Sequence, residues 1–462
     1  MKRPLTAQAS AAFKAKFAER YITSEAVREH HGVDESAYDK VLPDAVIYAQ
    51  TIDDVIAAVN LCREHNLPLI PFGIGSSLEG HVLPVEGGIS LDLSEMNKVL
   101  SVNTQDFTVT VEPGVLRKQL NDEIKDTGLF FPIDPGANAS IGGMASTRAS
   151  GTNAVKYATM RENVVSLKVV TPDGKLIRTS SHAMKSSAGY DLTRLFIGSE
   201  GTLGVIVEVT VRIYPIPEFV TAAICAFPSI EEAVNCTVQI KQCGVNIGRV
   251  EFMDANAVRA VNKYSNLTLK ESPLLLFEFH GSSTGIQEQI ELVKEISQDN
   301  NGADFEWASQ LEERNRLWTA RHNAYFASLQ LRPGSRSITT DVCVPISNLA
   351  QCIIETSDDL AQLPLPWTIV GHVGDGNFHV LMMIDPESER ERQLAEALNQ
   401  RLVQRAITLE GSCTGEHGIG LHKMDFLRDE HGEDMIDLMR RIKQVFDPQN
   451  IMNPGKMFSW DA

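Results

Sequence analysis

Two glycine-dense stretches constrain this chain more than any other feature. The first runs out of a short apolar segment, Pro68 to Pro71, as Phe72-Gly73-Ile74-Gly75-Ser76-Ser77-Leu78-Glu79-Gly80-His81. Glycines here let backbone approach a ligand closely, and their amides with two serine hydroxyls suit an anion-binding nest. A Walker A loop is excluded because the Gly-Lys-Ser/Thr ending is missing, and the Rossmann fingerprint fits poorly because no helical pattern follows. Ile89 to Leu93 and Phe107 to Val111 read instead as strands. The second stretch is Pro132-Ile133-Asp134-Pro135-Gly136-Ala137-Asn138-Ala139-Ser140-Ile141-Gly142-Gly143, followed by Ser146 and by Ala149-Ser150-Gly151-Thr152-Asn153. Small residues at such density suggest backbone laid against a flat or extended ligand. The plainer reading is a loop-rich surface.

A different chemistry is written at Gly371-His372-Val373-Gly374-Asp375-Gly376-Asn377-Phe378-His379. Asp-Gly between apolar runs favours a two-residue hairpin turn. With the hairpin centred between Asp375 and Gly376, His372 lies directly opposite His379 on one face, with β-carbons roughly 4.5–5.5 Å apart. Two neutral imidazoles at that spacing suit a divalent metal of the zinc type; the alternative is a pair of hydrogen-bonded sheet histidines. Gly411-Ser412-Cys413-Thr414-Gly415-Glu416-His417-Gly418-Ile419-Gly420 offers a third ligand and a base.

At 462 residues the chain exceeds what one hydrophobic core usually supports, so two or three domains are expected. The formal net charge of −18 argues against nucleic acid, whose affinity comes from neutralising phosphate. Acidity of this kind favours solubility and could also attract a basic redox partner. The seven cysteines contain no Cys-x-x-Cys pair, which points to a reducing compartment and away from a disulfide framework or iron–sulfur cluster. No run approaches the roughly 18 apolar residues of a membrane span. Lys2 and Arg3 precede no apolar core, so the N-terminus does not read as a secretory signal. Residues 8–21 read as an amphipathic helix, and Glu19 and Glu25 weigh against a transit peptide.

Along the chain, Val46 to Tyr48 reads as a strand and Thr51 as the start of a helix burying Val55, Ile56, Val59 and Cys62. Val164 to Thr171 and Leu176 to Thr179 flank a Pro-Asp-Gly-Lys turn. Phe196 to Ile206, carrying Ser199, Glu200 and Gly204, leads into a strand to Ile213, and Pro215 and Pro217 mark a boundary. Later segments alternate: strand 221–226, helix from Ser229, strand 274–279, helix 285–297, helix 391–409 and helix 434–445.

The ordered set Pro71-Phe72-Gly73-x-Gly75, Asp134-Pro135-Gly136, Ile141-Gly142-Gly143 and Gly198-Ser199-Glu200-Gly201-Thr202-Leu203-Gly204 resembles the flavin-binding half of the vanillyl-alcohol-oxidase superfamily. Leu317 to Asn323, Thr340 to Pro345, His372 to His379, Gly415 to Gly420 and Asn453-Pro454-Gly455-Lys456 are similar to the FAD-linked D-lactate dehydrogenases of the cytochrome-dependent type. This resemblance, over about residues 40 to 458, implies an α+β fold. A two-subdomain PCMH-type FAD-binding domain would span 40–217, after an N-terminal helical segment 1–39. A substrate or cap domain with an antiparallel sheet, helices and the metal site would span 218–425, and a C-terminal segment 426–462 would return to the flavin domain.

The resemblance also implies site roles. Pro71, Gly73, Gly75, Ser76, Ser77, Gly80, Pro135, Gly136, Ser140, Gly142, Gly143, Ser146, Gly151, Thr152, Asn153, Glu200, Gly204, Ile206 and Asn453 would bind FAD. FAD would be held non-covalently, because Gly75 to Leu78 lacks the histidine that many relatives link to the flavin. His372, His379 and Glu416 would hold zinc or manganese, His417 would act as general base, and Arg321 would clamp the substrate carboxylate. Relatives that act on longer diacids use a further basic residue before the Asp341 strand; Arg336 is near but differently spaced, which favours a small monocarboxylate. The implied reaction oxidises a small D-2-hydroxy acid, D-lactate first, and passes electrons to an external acceptor such as cytochrome c, a quinone or a flavoprotein. The implied location is cytoplasmic, with peripheral association at the inner membrane as an option, or mitochondrial in a eukaryote. D-2-hydroxyglutarate and glycolate remain as alternative substrates. A flavin-free metal hydrolase built on His372, His379 and Glu416 is the rival class, and it leaves residues 71–80 and 132–153 unexplained.

Overall fold

The computed structural model describes residues 3–36 and 38–459, where short apolar runs form strands and longer periodic ones form helices. The chain forms two units. The first comprises Met1–Gly151, Ala158–Ile216 and Glu416–Ala462; the second comprises Thr152–Tyr157 and Pro217–Gly415. These bounds differ from the expected 40–217, 218–425 and 426–462. The second unit ends at residue 415 and takes in six residues from the middle of the glycine-rich region.

In the first unit, strands Ala45–Tyr48, Ile89–Asp92 and Leu69–Phe72 pair in parallel, and Tyr21–Ile22 adds an antiparallel edge. Parallel pairing needs a crossover, here the helix Ile52–Glu64, whose start is fixed by a Thr51/Asp54 capping box. The helix buries Val55, Ala58, Val59 and Cys62; the expected face also contained Ile56, which is only partly covered. The helix Ala7–Phe17 inserts Ala9, Phe13 and Phe17 into the same core, so residues before 40 belong to this unit. Burying each phenylalanine stabilises it by about 1.5–3 kcal/mol. Ile451 and Met452 from the C-terminal tail complete that core. A second sheet is wholly antiparallel, in the order Val99–Asn103, Thr108–Val111, Val205–Arg212, Val164–Val170, Leu176–Arg178. Two small sheets, each with its own core, give the unit two subdomains.

The second unit is built on one sheet in the order Ala303–Ala308, Phe219–Ala226, Leu274–Gly281, Ile247–Met253, Trp367–His372, Asn377–Ile384, Arg336–Thr339, with Val342–Cys343 also pairing to Asn377–Ile384. Under helices Ala255–Ser265, Leu311–His322 and Ala324–Leu329, one sheet face is apolar through Met253, Val370, Leu381 and Met383. Towards the hairpin end the same face turns polar.

That hairpin departs from the expected register. His372 pairs with Asn377, and Val370 pairs with His379. The loop therefore has four residues, Val373 to Gly376, closed by Asp375 N–H donating to the His372 carbonyl at 2.9 Å. Val344 N–H donates to Gly376 O at 3.0 Å, so the loop also anchors the neighbouring strand. The pairing differs by two residues, and strand side chains alternate with period two, so both histidines stay on one face as diagonal neighbours. Their rings meet edge to face with centroids 5.5 Å apart.

Gly376 holds φ at 82°, and a β-carbon there would collide with the Val344 carbonyl oxygen. Gly376→Ala should therefore cost on the order of 2–4 kcal/mol from left-handed strain plus overpacking. A denaturant midpoint unchanged from wild type would contradict this account of the loop.

Candidate active site

The first unit carries a cradle built from both glycine-rich stretches. A β-carbon on Gly73 would lie 2.6 Å from Ser140 Oγ, so the two stretches touch there. Gly75 and Gly80 take φ of 67° and 76°, which only glycine adopts without strain. Among the described residues, no backbone N–H from Gly73 to Gly80 donates to a protein acceptor. Eight successive amides without protein acceptors leave this stretch of backbone available to an anion. Close by in sequence, the buried His81 Nδ1 has no hydrogen-bond partner, and Ser199 Oγ is in the same state. Buried polar atoms of this kind normally find partners, so the residues present fit a polar, anionic cofactor such as FAD.

The other expected cofactor residues divide by what they touch. Ser77 Oγ donates to Asp34 at 3.2 Å. Ser140 caps the helix Ile141–Thr147, its Oγ accepting from Gly143 N–H. Gly142 lies against Pro113, and Gly204 against Val169 and Val170; both are required by packing. Gly136 has open space where a side chain would stand, and Gly151 presses on Asp134. Pro71 sits in strand Leu69–Phe72 and Ile206 in strand Val205–Arg212. The Ser146 carbonyl accepts from Glu200 N–H at 2.9 Å. Thr152 and Asn153 fall in the second unit, where Asn153 Oδ1 accepts from Arg249 Nε at 2.9 Å.

Glu200 and Asn453 tie this cradle to the segment that carries His417. The Glu200 carboxylate accepts from Ile419 N–H at 2.7 Å and Gly420 N–H at 2.8 Å, with His81 Nε2 at 3.4 Å. Burial alone would push its carboxyl up, but His81 and the two amides outweigh burial and hold it below the usual carboxylate range. Asn453 Nδ2 donates to the carbonyls of His81 (3.0 Å) and Glu200 (2.7 Å).

Sequence reasoning missed Glu79. It is buried against Lys423 Nζ at 3.3 Å, His422 Nδ1 at 3.3 Å and His417 Nδ1 at 3.6 Å. Burial opposes its ionisation, but Lys423, His417 and His422 hold the carboxyl well below its ordinary range.

In the second unit, a polar row occupies the hairpin end of the sheet. His379 Nδ1 meets the Thr340 carbonyl at 3.0 Å. A carbonyl only accepts, so Nδ1 carries the proton and Nε2 is the basic nitrogen of the neutral ring. His372 Nδ1 meets Glu251 Oε1 at 2.7 Å, which fixes the same tautomer. Arg321 Nε donates to the other oxygen of Glu251 at 2.8 Å. Asp341 accepts from Asn377 Nδ2 (2.7 Å), Thr414 Oγ1 (2.7 Å) and Gly415 N–H (2.9 Å). It thus pins the residue that immediately precedes Glu416. Two imidazoles on one face, each with Nε2 as its basic nitrogen, are a donor set suited to a zinc-type ion.

Residues 43–180 match the FAD binding domain family, and residues 216–457 match the family described as FAD linked oxidases, C-terminal domain. The chain belongs to the FAD-linked oxidases. This oxidase is 50% identical over 435 residues to a Danio rerio protein named "Probable D-lactate dehydrogenase, mitochondrial", covering 94% of this chain and 88% of the relative. It is 44% identical over 432 residues to "D-lactate dehydrogenase [cytochrome], mitochondrial" of Arabidopsis thaliana, covering 93% and 76%. Its fold matches that of p-cresol methylhydroxylase with a TM-score of 0.83 at 17% identity, over 99% of this chain and 98% of the other. The FAD-linked oxidase is therefore an FAD-binding oxidoreductase with a PCMH-type flavin fold. Among its described residues, no helix is long and apolar enough to cross a membrane.

The folded-state carboxyl of Glu200 titrates below its unfolded value of about 4.3. Its stabilising contribution is complete above that value and is lost as pH falls through the lower folded value. Glu200→Gln should therefore be less stable than wild type at neutral pH, with the difference shrinking as pH falls below the ordinary glutamate range. A difference that stays constant in denaturant titrations from neutral to acid pH would contradict the ionic role.

Proposed function

We propose that this FAD-linked oxidase oxidises D-lactate, or a D-2-hydroxy acid of similar size, to the 2-oxo acid, and passes the electrons to an external acceptor. The observation that carries the proposal is the polar row at the hairpin end, where His372 and His379 share one sheet face and Glu251 joins His372 to Arg321. Arg321 commits its Nε to Glu251, which leaves the terminal nitrogens of its fork for a substrate carboxylate, a task that planar geometry suits. His372, His379 and Glu416 are the residues that would hold zinc or manganese, whose Lewis acidity would make the substrate hydroxyl more acidic. His417 takes the hydroxyl proton. Its Nδ1 lies 3.6 Å from Glu79 and its Nε2 4.0 Å from Glu416, and imidazole titrates in the range such a base needs. Bound FAD supplies the hydride acceptor for the α-hydrogen.

The first glycine stretch has no histidine from Gly73 to Leu78, which supports a non-covalent flavin held by Gly73, Gly75, Ser76, Ser77 and Gly80, with the segments around Gly136, Gly143 and Ile206 lining it. The relatives' names support an acceptor of the cytochrome type, with a quinone or another flavoprotein as the other choices. Those names also support a mitochondrial location in a eukaryotic source.

Anaerobic stopped-flow mixing tests the reaction. D-lactate should bleach the flavin absorbance and L-lactate should not; equal rates for the two would refute the stereochemical assignment. Faster bleaching by glycolate or D-2-hydroxyglutarate would move the substrate assignment. His417→Ala should keep its FAD and metal yet lose at least 100-fold in bleaching rate, the lower end for general base catalysis. Arg321→Ala should mainly raise KM if the clamp binds ground and transition states alike.

A further inference from the structure

Glu251 has no role in the reaction described above, yet its position is unusual. It lies in the strand Ile247–Met253, whose neighbours Val250, Phe252 and Met253 are buried apolar residues, and it is itself 0% exposed. A carboxylate removed from water costs several kcal/mol unless donors satisfy it, and an apolar residue would serve the sheet as well or better. Both of its oxygens are committed, to different partners. Oε1 meets His372 Nδ1 at 2.7 Å and Oε2 accepts from Arg321 Nε at 2.8 Å.

The register explains the reach. Phe252 pairs with Gly371 and Met253 with Val370; one step further along the same strands brings Glu251 opposite His372. Paired residues share a face, so Glu251, His372 and His379 point the same way. The helix Leu311–His322 packs on that face through Leu317 and Trp318 and delivers Arg321 to the carboxylate. One buried group thus touches both the histidine assigned to the metal and the arginine assigned to the substrate.

We propose that Glu251 is the positioning residue that couples the metal site to the carboxylate clamp, an assignment that rests on the functional reading above. Its first oxygen holds His372 in the tautomer whose Nε2 is a ligand and raises that nitrogen's basicity, as carboxylates behind metal-bound histidines do. Its second oxygen fixes the Nε edge of Arg321, so the outer edge of the guanidinium keeps one orientation for the incoming carboxylate. The substrate's two functional groups, hydroxyl and carboxylate, are then placed by two side chains that share one anchor. This favours small 2-hydroxy acids, in which those groups sit on adjacent carbons.

The test uses the full-length, FAD-loaded protein, stripped of metal with a chelator and titrated with Zn2+. Zinc stoichiometry and affinity are read by elemental analysis and calorimetry, beside flavin content. Glu251→Gln should keep its FAD, weaken zinc binding 10–100-fold and raise KM for D-lactate at least tenfold. In an Arg321→Ala background, Glu251→Gln should add little further to KM while still weakening zinc. A zinc affinity equal to wild type in Glu251→Gln would overturn the assignment, as would a KM effect that is undiminished without Arg321. Where Glu251→Gln fails to fold, Glu251→Asp decides, since it keeps the charge but is one methylene too short to span both partners. Weakened zinc binding or a raised KM in Glu251→Asp supports the assignment, and wild-type values for both overturn it. A wild type that takes up no zinc overturns the metal reading and this assignment together; a zinc-binding wild type with an unaffected Glu251→Gln overturns only the assignment.

Discussion

A carboxylate buried in protein must be answered by donors, or its desolvation cost of several kcal/mol goes uncompensated. This chain buries three in places that determine the rest. Glu79 draws Lys423, His422 and His417 to one point. Glu200 accepts the amides of Ile419 and Gly420. Glu251 binds His372 and Arg321. The first two fix the loop that carries the assigned base, and the third fixes the histidine assigned to the metal and the arginine assigned to the substrate. Cutting any one of them would leave a buried charge or a mobile loop, so these residues govern both folding and chemistry.

The two units make separate contributions of different physical kinds. In the first, the fit to a flavin rests on backbone: among the described residues, successive amides from Gly73 to Gly80 have no protein acceptor, and glycines keep Cβ atoms out of the way. Such a site tolerates little enlargement and needs few charged side chains. In the second, the assigned site rests on side chains projecting from paired strands, where alternation decides which residues share a face. The apolar part of that face, through Met253, Val370, Leu381 and Met383, provides the packing that holds helix Leu311–His322 over the sheet.

Much of this was legible in the sequence. Both glycine-rich stretches, the histidine hairpin and the alternation of strands and helices in the second half could be read directly. The hairpin shows how an error can leave a conclusion standing. Asp375-Gly376 suggests a two-residue turn, whereas the real loop has four residues because Gly376 O also serves Val344. The resulting two-residue difference in pairing preserves side-chain parity, so His372 and His379 still meet. Glu251 went unnoticed because one acidic residue in a strand carries no motif. The available signal was Arg249 and Glu251 alternating within an otherwise apolar run, which marks a polar strip on one face. Glu79 was hidden inside a loop read for its glycines. Nothing in the composition of residues 152–157 marks their membership of the second unit, because that depends on the partner strand Ile247–Met253 far along the chain.

The proposed function has oxidation require a divalent ion held by the hairpin histidines, in addition to the flavin. The most direct measurement is turnover of D-lactate after exhaustive chelation, with flavin content monitored throughout. The account predicts that turnover disappears while FAD stays stoichiometric, and that it returns on adding Zn2+ or Mn2+ to about one ion per chain. Full turnover in chelated, metal-free protein would contradict it, and would leave His372 and His379 as structural or acid–base residues of the sheet.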